Sequence, residues 1–268
     1  MRAAVLGRPV SHSLSPLLHR AAYRALGLDD WTYDLLDLGA EDVPVLLAGL
    51  GEEWRGFSVT MPCKHAAAAA ADEMGALPRL LRAANTLTRL PDGGWRADNT
   101  DVHGVGMALQ LAGVERVSRA AILGAGGTAA ATAVALAELG AEHVDVVVRD
   151  PARAADVLRI FEALSVPTTV TPLAGAVVAA DVVVSTVPIG AQPDLLGLGW
   201  RAAQTVLDVL CAPWPTPLAE RVGEAGGTVI SGLEVLFWQA TQQVELMTGQ
   251  PAPIAEMRAA LDAALDTR

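Results

Sequence analysis

The chain has 268 residues, of which 52% are hydrophobic, and 30 Asp plus Glu stand against 19 Lys plus Arg. That apolar content is ample for a buried core and excludes disorder, while the acidic balance gives no diffuse positive field to hold a phosphate backbone, so nucleic acid is not an expected partner. Two cysteines, Cys63 and Cys211, are too few for a disulfide scaffold and fit a reducing compartment.

The apolar run at Met1–Gly7 ends too soon for a secretory core. Glycine, proline or charge interrupts every other apolar stretch before the roughly 20 residues of a spanning helix, so no membrane contact and a cytoplasmic setting are expected. Strands are predicted at Ala3–Leu6, Thr32–Leu36 and Gly56–Val59, interleaved with helices over Pro16–Leu26, Glu41–Leu50 and Lys64–Glu73. A helix over Val102–Ala112 follows and bridges to a second strand series at Ala120–Leu123, Val144–Val148, Val182–Ser185 and Val206–Val209. The gaps in that series leave room for crossover helices, which reads as a nucleotide-binding parallel sheet. Helices over Leu233–Thr248 and Pro253–Asp266 close the chain and are expected to return to the first domain. The class is thus α/β with two domains: residues 1–101 with 237–268 form an α/β substrate domain, and residues 102–236 form a Rossmann-like, doubly wound dinucleotide domain. No solenoid repeat is present, and oligomeric state is not legible, a homodimer being compatible.

Gly124, Gly126 and Ala129 sit between a predicted strand and an alanine-rich helix, in the spacing of a dinucleotide fingerprint. Gly124 permits a tight turn, Gly126 lets the backbone approach a pyrophosphate, and Ala129 allows close helix packing. Ala125, Gly127 and Thr128 complete the turn and the helix start, where amides face an anion. The alternative is a plain strand-to-helix turn. At the end of the next strand, Arg149 and, one helical turn on, Arg153 suit the 2′-phosphate of NADP. Asp150 points instead toward the ribose hydroxyl of NAD, or is only a cap for the helix opening at Pro151.

Ser13 and Ser15 place two hydroxyls near a helix start and suit a small carboxylate, although Ser15 alone also fits an N-cap before Pro16. His12 and His19 are read as structural. Lys64 stands at the N-terminal end of a predicted helix, where the dipole opposes a cation and eases loss of its proton, suiting it to proton transfer; a solvated surface lysine is the plainer alternative. Asn85-Thr86 and Asp98-Asn99-Thr100-Asp101 supply further polar groups. Asp101 is either a helix cap or the carboxylate partner of Lys64 in a proton relay. No metal site is read from the residues.

Together these segments resemble the shikimate dehydrogenase family over nearly the whole chain. The resemblance rests on Gly7 through His19, Val59 through Lys64, Ala83 through Thr86, Asp98 through Asp101, Gly124 through Gly127, and Ser231-Gly232-Leu233 with Gln239-Ala240 and Gln243-Val244-Glu245. It implies an NADP-dependent enzyme that reversibly reduces 3-dehydroshikimate to shikimate in aromatic amino acid (chorismate) biosynthesis. By that resemblance Ser13 and Ser15 bind the carboxylate, while Thr60, Asn85, Asp101 and Gln239 hold ring hydroxyls. Lys64 and Asp101 are the catalytic pair, and Gly232 joins the cofactor-binding positions. Three departures stand out: Ser58 replaces a usual asparagine, Cys211 a usual tyrosine, and Val148 and Asp150 the asparagine and threonine flanking the cofactor arginine. They keep two alternatives in play, a dehydrogenase for quinate or an amino analogue using NAD or NADP, and a non-catalytic dinucleotide sensor.

Overall fold

Two sheets divide the β-branched runs between them in the computed structural model, which describes residues 1–266. One unit comprises Met1–Thr100 with the chain from Gln239 onward, and the other Asp101–Trp238. The first unit runs β1 (Arg2–Gly7), α1 (Ser15–Ala25), β2 (Thr32–Asp37), α2 (Val43–Ala48), β3 (Trp54–Val59), α3 (Lys64–Ala70), β4 (Glu73–Met74), α4 (Ala76–Leu81), β5 (Thr86–Arg89) and β6 (Trp95–Asp98). Its sheet has the order β2-β1-β3-β5-β6-β4. The apolar run of β1 is buried from Ala3 to Leu6, as a central strand covered on both faces requires, and it pairs in parallel with β2 and β3. β5 is antiparallel to both β3 and β6, so the sheet is mixed.

Two expected helices are shorter than their pattern suggested. The Glu41–Leu50 segment splits into a 3-10 turn at Ala40–Asp42 and α2, because Pro44 belongs in a first turn and the helix stops before Gly49. The Lys64–Glu73 helix ends at Ala70, since Asp72 N donates to Trp95 O at 2.8 Å and Glu73–Met74 pairs with β6. Ladder bonds there outweigh the helix propensity of the alanine run.

The second unit runs α5 (Asp101–Leu111), β7 (Arg119–Leu123), α6 (Gly127–Glu138), β8 (His143–Val148), α7 (Ala155–Ala163), β9 (Thr168–Pro172), β10 (Val182–Ser185), β11 (Thr205–Asp208), α8 (Pro217–Glu224) and β12 (Thr228–Ser231). All its strand pairs are parallel, in the order β12-β11-β10-β7-β8-β9. The chain winds outward from β7 through β8 to β9, then crosses to β10 on the other side of β7. That reversal is the topological switch of a doubly wound sheet, where ligands bind beyond the carboxyl ends of the strands. Apolar residues from both halves, among them Leu123, Val183, Val206, Leu218 and Val222, fill the core beneath that edge. α9 (Gly232–Thr248) starts in this unit, while its residues from Gln239 and α10 (Ile254–Leu265) belong to the first, where α10 packs on α1. No helix among the described residues is long and apolar enough to cross a membrane.

Candidate active site

A cavity of about 520 Å³ opens in the second unit at the carboxyl ends of β7, β8 and β10. Gly124, Ala125 and Gly126 form its floor, Arg149, Asp150 and Arg153 one side, and Thr186, Val187, Pro188, Ala191 and Leu195 the opposite wall. Gly124 has φ +101°, and a Cβ there would press on the Thr186 hydroxyl at 2.6 Å, so the turn requires glycine. α6 begins immediately after, with Gly126 as its N-cap and no side chain on its first amides, which leaves donors for an anion. The Arg149 and Arg153 guanidinium groups are exposed and make no hydrogen bond or ion pair among the described residues. Asp150 is otherwise engaged: its Oδ1 accepts from Ala152 N at 3.0 Å and caps the 3-10 turn at Pro151–Ala154. Two uncommitted guanidinium groups beside open amides fit a phosphorylated dinucleotide.

In the first unit, backbone bonds gather the polar residues singled out above. Val59 N donates to Asn85 O at 2.6 Å, Thr60 N to Leu6 O at 2.8 Å, and Ala84 N to Lys64 O at 2.9 Å. Thr60 and the head of α3 are thereby fixed beside Asn85. Asn85 in turn accepts from Thr100 N at 2.7 Å through Oδ1, and its Nδ2 donates to Thr100 Oγ1 at 3.0 Å and to Gln239 Oε1 at 3.4 Å. Thr100 is the residue before Asp101, so this clamp fixes the chain at the start of α5. Ser13 and Ser15 are joined at the head of α1, where Ser15 N donates to Ser13 Oγ at 3.2 Å. Ser15 therefore is not the N-cap: the helix starts at Ser15 and Leu14 precedes it as the N-cap, with no side-chain cap bond.

Beneath these groups runs a buried polar chain. Tyr33 OH donates to Ser58 Oγ at 2.5 Å, and Ser58 Oγ donates to Gln243 Oε1 at 2.6 Å. His19 Nε2 meets the same oxygen at 3.4 Å, and Gln243 Nε2 donates to Asn85 O and Thr86 Oγ1, both at 3.0 Å. The Gln243 oxygen accepts and its nitrogen donates, so His19 carries its proton on Nε2 and takes the Tyr23 hydroxyl on Nδ1 at 3.4 Å. Ser58, the residue in place of a usual asparagine, is thus a relay in this chain of bonds. Thr86 Oγ1 completes the path by donating to Asn85 Oδ1 at 2.8 Å, which fixes the orientation of that amide.

Burial holds the fully enclosed His19 imidazole neutral, with its pKa lowered to about 3 against the bond to Gln243. The unfolded chain takes up that proton first as pH falls. The stability that neutral His19 secures is complete above about pH 6.5 and is lost progressively toward pH 3. Urea unfolding of the native chain is expected to lose about 1–2 kcal/mol from this group between pH 7 and pH 5. A His19→Gln variant should flatten that slope, and equal slopes in both proteins would count against the assignment.

The remaining expected positions lie as follows. Gly127 and Thr128 open α6 and Ala129 is buried on its inner side, none of them lining the cavity. Gly232 lies against the end of β11, where a Cβ would overlap the Val209 carbonyl, so its role in the structure is close backbone approach. Cys211 is partly buried, and burial with the nearby Asp208 charge pushes its thiol up to about 11, leaving a neutral SH where a phenol is usual. Sequence reasoning assigned no role to Tyr33 or Gln243. For Gln243 a signal existed, four residues after Gln239 and on the same helix face.

Comparisons agree with both halves of this description. A family model described as the shikimate dehydrogenase substrate binding domain matches residues 5–87, and one described as the shikimate 5'-dehydrogenase C-terminal domain matches residues 232–261. A third, for the coenzyme F420-dependent NADP oxidoreductases, matches residues 119–211. The chain is 39% identical to the shikimate dehydrogenase (NADP(+)) of Anaeromyxobacter dehalogenans over 97% of its length and 95% of that relative. The crystal structure of Mycobacterium tuberculosis shikimate dehydrogenase superposes with a TM-score of 0.90 at 50% identity, covering 98% of this chain and 99% of that one. Quinate dehydrogenase from Corynebacterium glutamicum, solved with NAD, reaches a TM-score of 0.89 at 26% identity over 98% and 99% of the two chains. Kinship of this strength over nearly the whole of both chains means that this chain belongs to the shikimate dehydrogenase family.

Proposed function

We propose that this protein interconverts shikimate and 3-dehydroshikimate with NADP, a step of aromatic amino acid biosynthesis in the cytoplasm. The observation that carries the cofactor choice is the pair of unengaged guanidinium groups, Arg149 and Arg153, beside an Asp150 already committed to its own turn. Bound NADP supplies the hydride acceptor or donor. Ser13 and Ser15 take the substrate carboxylate, while Thr60, Asn85, Asp101 and Gln239 hold the ring hydroxyls. Lys64 exchanges the proton of the reacting hydroxyl oxygen, with the Asp101 carboxylate as its partner of opposite charge. Asn85 and Gln239 are both nearly buried, so a ligand lacking the hydroxyls they expect would leave desolvated polar groups unpaired. Gly124, Ala125, Gly126, Gly127, Thr128 and Ala129 form the pyrophosphate turn, and Gly232 fixes the entry of α9.

Quinate is the competing substrate, since the fold is shared with a quinate enzyme and Cys211 removes one hydroxyl donor. Steady-state oxidation of shikimate and of quinate, each with NADP and with NAD, separates the readings. Shikimate with NADP is expected to give the highest kcat/KM of the four pairs. A preference for quinate with NAD would replace this function, and absence of turnover with tight dinucleotide binding would favour a sensor.

A further inference from the structure

The wall of the dinucleotide cavity formed by Pro188–Leu195 has little backbone support of its own. It is a short 3-10 stretch, Ile189–Leu195, with Pro193 inside it. Leu195 anchors one end in the apolar core with Leu198, Trp200, Leu218 and Val222. The other anchor is polar. Gln192 is fully buried, its Nε2 donating to Asp208 Oδ2 at 2.6 Å and its Oε1 accepting from Leu218 N at 3.2 Å.

Asp208 ends β11 and is itself fully buried. The same Oδ2 accepts from Thr216 Oγ1 at 2.7 Å, and Oδ1 accepts from Leu210 N at 3.3 Å. No cation pairs with this carboxylate among the described residues. Burial pushes its acid form up in pH, and bonds from Thr216, Gln192 and Leu210 pull the other way. A buried charge without a counter-ion is costly and needs a reason beyond core formation. Capping of α8 does not supply one, because Thr216 Oγ1 accepts from Ala219 N at 3.0 Å without the carboxylate. What an ionised oxygen adds is two short, charge-assisted bonds at one point, tying the cavity wall to the start of α8.

We propose that Asp208 is a positioning residue for the dinucleotide, holding the Pro188–Leu195 wall through Gln192 in the shape the cofactor requires. The proposal rests on the dinucleotide reading of this cavity. Asp208 touches neither cofactor nor substrate; it acts through the bond to Gln192. Its loss therefore falls on NADP and spares the substrate pocket.

The test uses the full chain with three variants, Gln192→Met, Asp208→Ala and Asp208→Asn, read by calorimetric titration with NADP alone and by steady-state kinetics. Gln192→Met keeps the volume and removes the tie, so the NADP Kd should rise about tenfold or more, as should that of Asp208→Ala. Asp208→Asn keeps an oxygen that Gln192 and Thr216 can still reach but not its charge, so its Kd should lie between those of the native chain and Asp208→Ala. In every case the KM for shikimate and kcat at saturating NADP should move less than about threefold, a split that general loosening of the fold would not produce. Gln192→Met leaves the carboxylate and the apolar core in place, so it carries the test even if Asp208→Ala fails to fold. Native NADP affinity in Gln192→Met, or equal rises in both KM values, would overturn the proposal. A native chain that does not bind NADP would overturn the dinucleotide reading itself, and this proposal with it.

Discussion

Replacement of Lys64 with alanine is expected to lower shikimate turnover at saturating NADP by at least about a hundredfold, with the KM for shikimate changed by less than about threefold. The substitution is structurally mild. Lys64 heads α3, alanine is the better helix former, and the tie from Ala84 N to the residue 64 carbonyl is a backbone bond that alanine retains. What disappears is the amine. Hydride cannot leave a carbon whose hydroxyl keeps its proton, so a positioned group must accept that proton as the carbonyl forms, and such groups contribute roughly a hundredfold to ten-thousandfold. Lys64→Arg separates charge from proton exchange. Arginine keeps the positive charge toward Asp101 but does not give up its proton, so its turnover should fall about as far as that of alanine. Near-native turnover in Lys64→Ala would remove the lysine from the chemistry and return it to the surface.

The legible parts of this fold are those whose burial is uniform along a short run. Ala3–Leu6, Ala120–Leu123 and Val182–Ser185 are interior parallel strands with both faces covered, so their sequences are apolar but for the terminal Ser185 and read as strands at once. The β5–β6 hairpin escaped because each strand has only four residues, too few for alternation to register. Its one clear signal was Asp92-Gly93-Gly94, with Gly93 at φ +91°. β9 and β12 lie at the two edges of their sheet and are half exposed, which dilutes the pattern in the same way. At the site, the glycine turn and Arg149 are consecutive in sequence with the strands that carry them, and local spacing suffices to find them. The Tyr33–Ser58–Gln243 chain of bonds is of another kind. It joins residues 185 positions apart at Ser58 and Gln243, and only the packing of α9 within the first unit makes them neighbours. The Gln192–Asp208 tie was equally hidden, since a buried carboxylate without a cation leaves no mark in composition.

The arginines of the cofactor cavity carry the other large expected effect. Joint replacement of Arg149 and Arg153 by alanine should raise the KM for NADP by about a hundredfold or more and change that for NAD by less than about threefold. Both side chains are exposed and outside any hydrogen bond among the described residues, so their removal leaves the fold intact. A 2′-phosphate carries close to two negative charges and three acceptor oxygens, and each charge-assisted bond lost is worth about 1.5–3 kcal/mol. Two such bonds multiply to at least about a hundredfold even at the low end. NAD has only a hydroxyl there, which gains little from a guanidinium. Asp150 sharpens the contrast, because once both cations are gone its carboxylate is the nearest charge and repels the phosphate. The native KM for NADP should accordingly rise with added salt, and that dependence should shrink in the double variant, since exposed charges are screened within about 10 Å at 0.1 M. If the double variant kept the native ratio of NADP to NAD efficiency, the phosphate would be read elsewhere, and the assignment of this side of the cavity to NADP would fall.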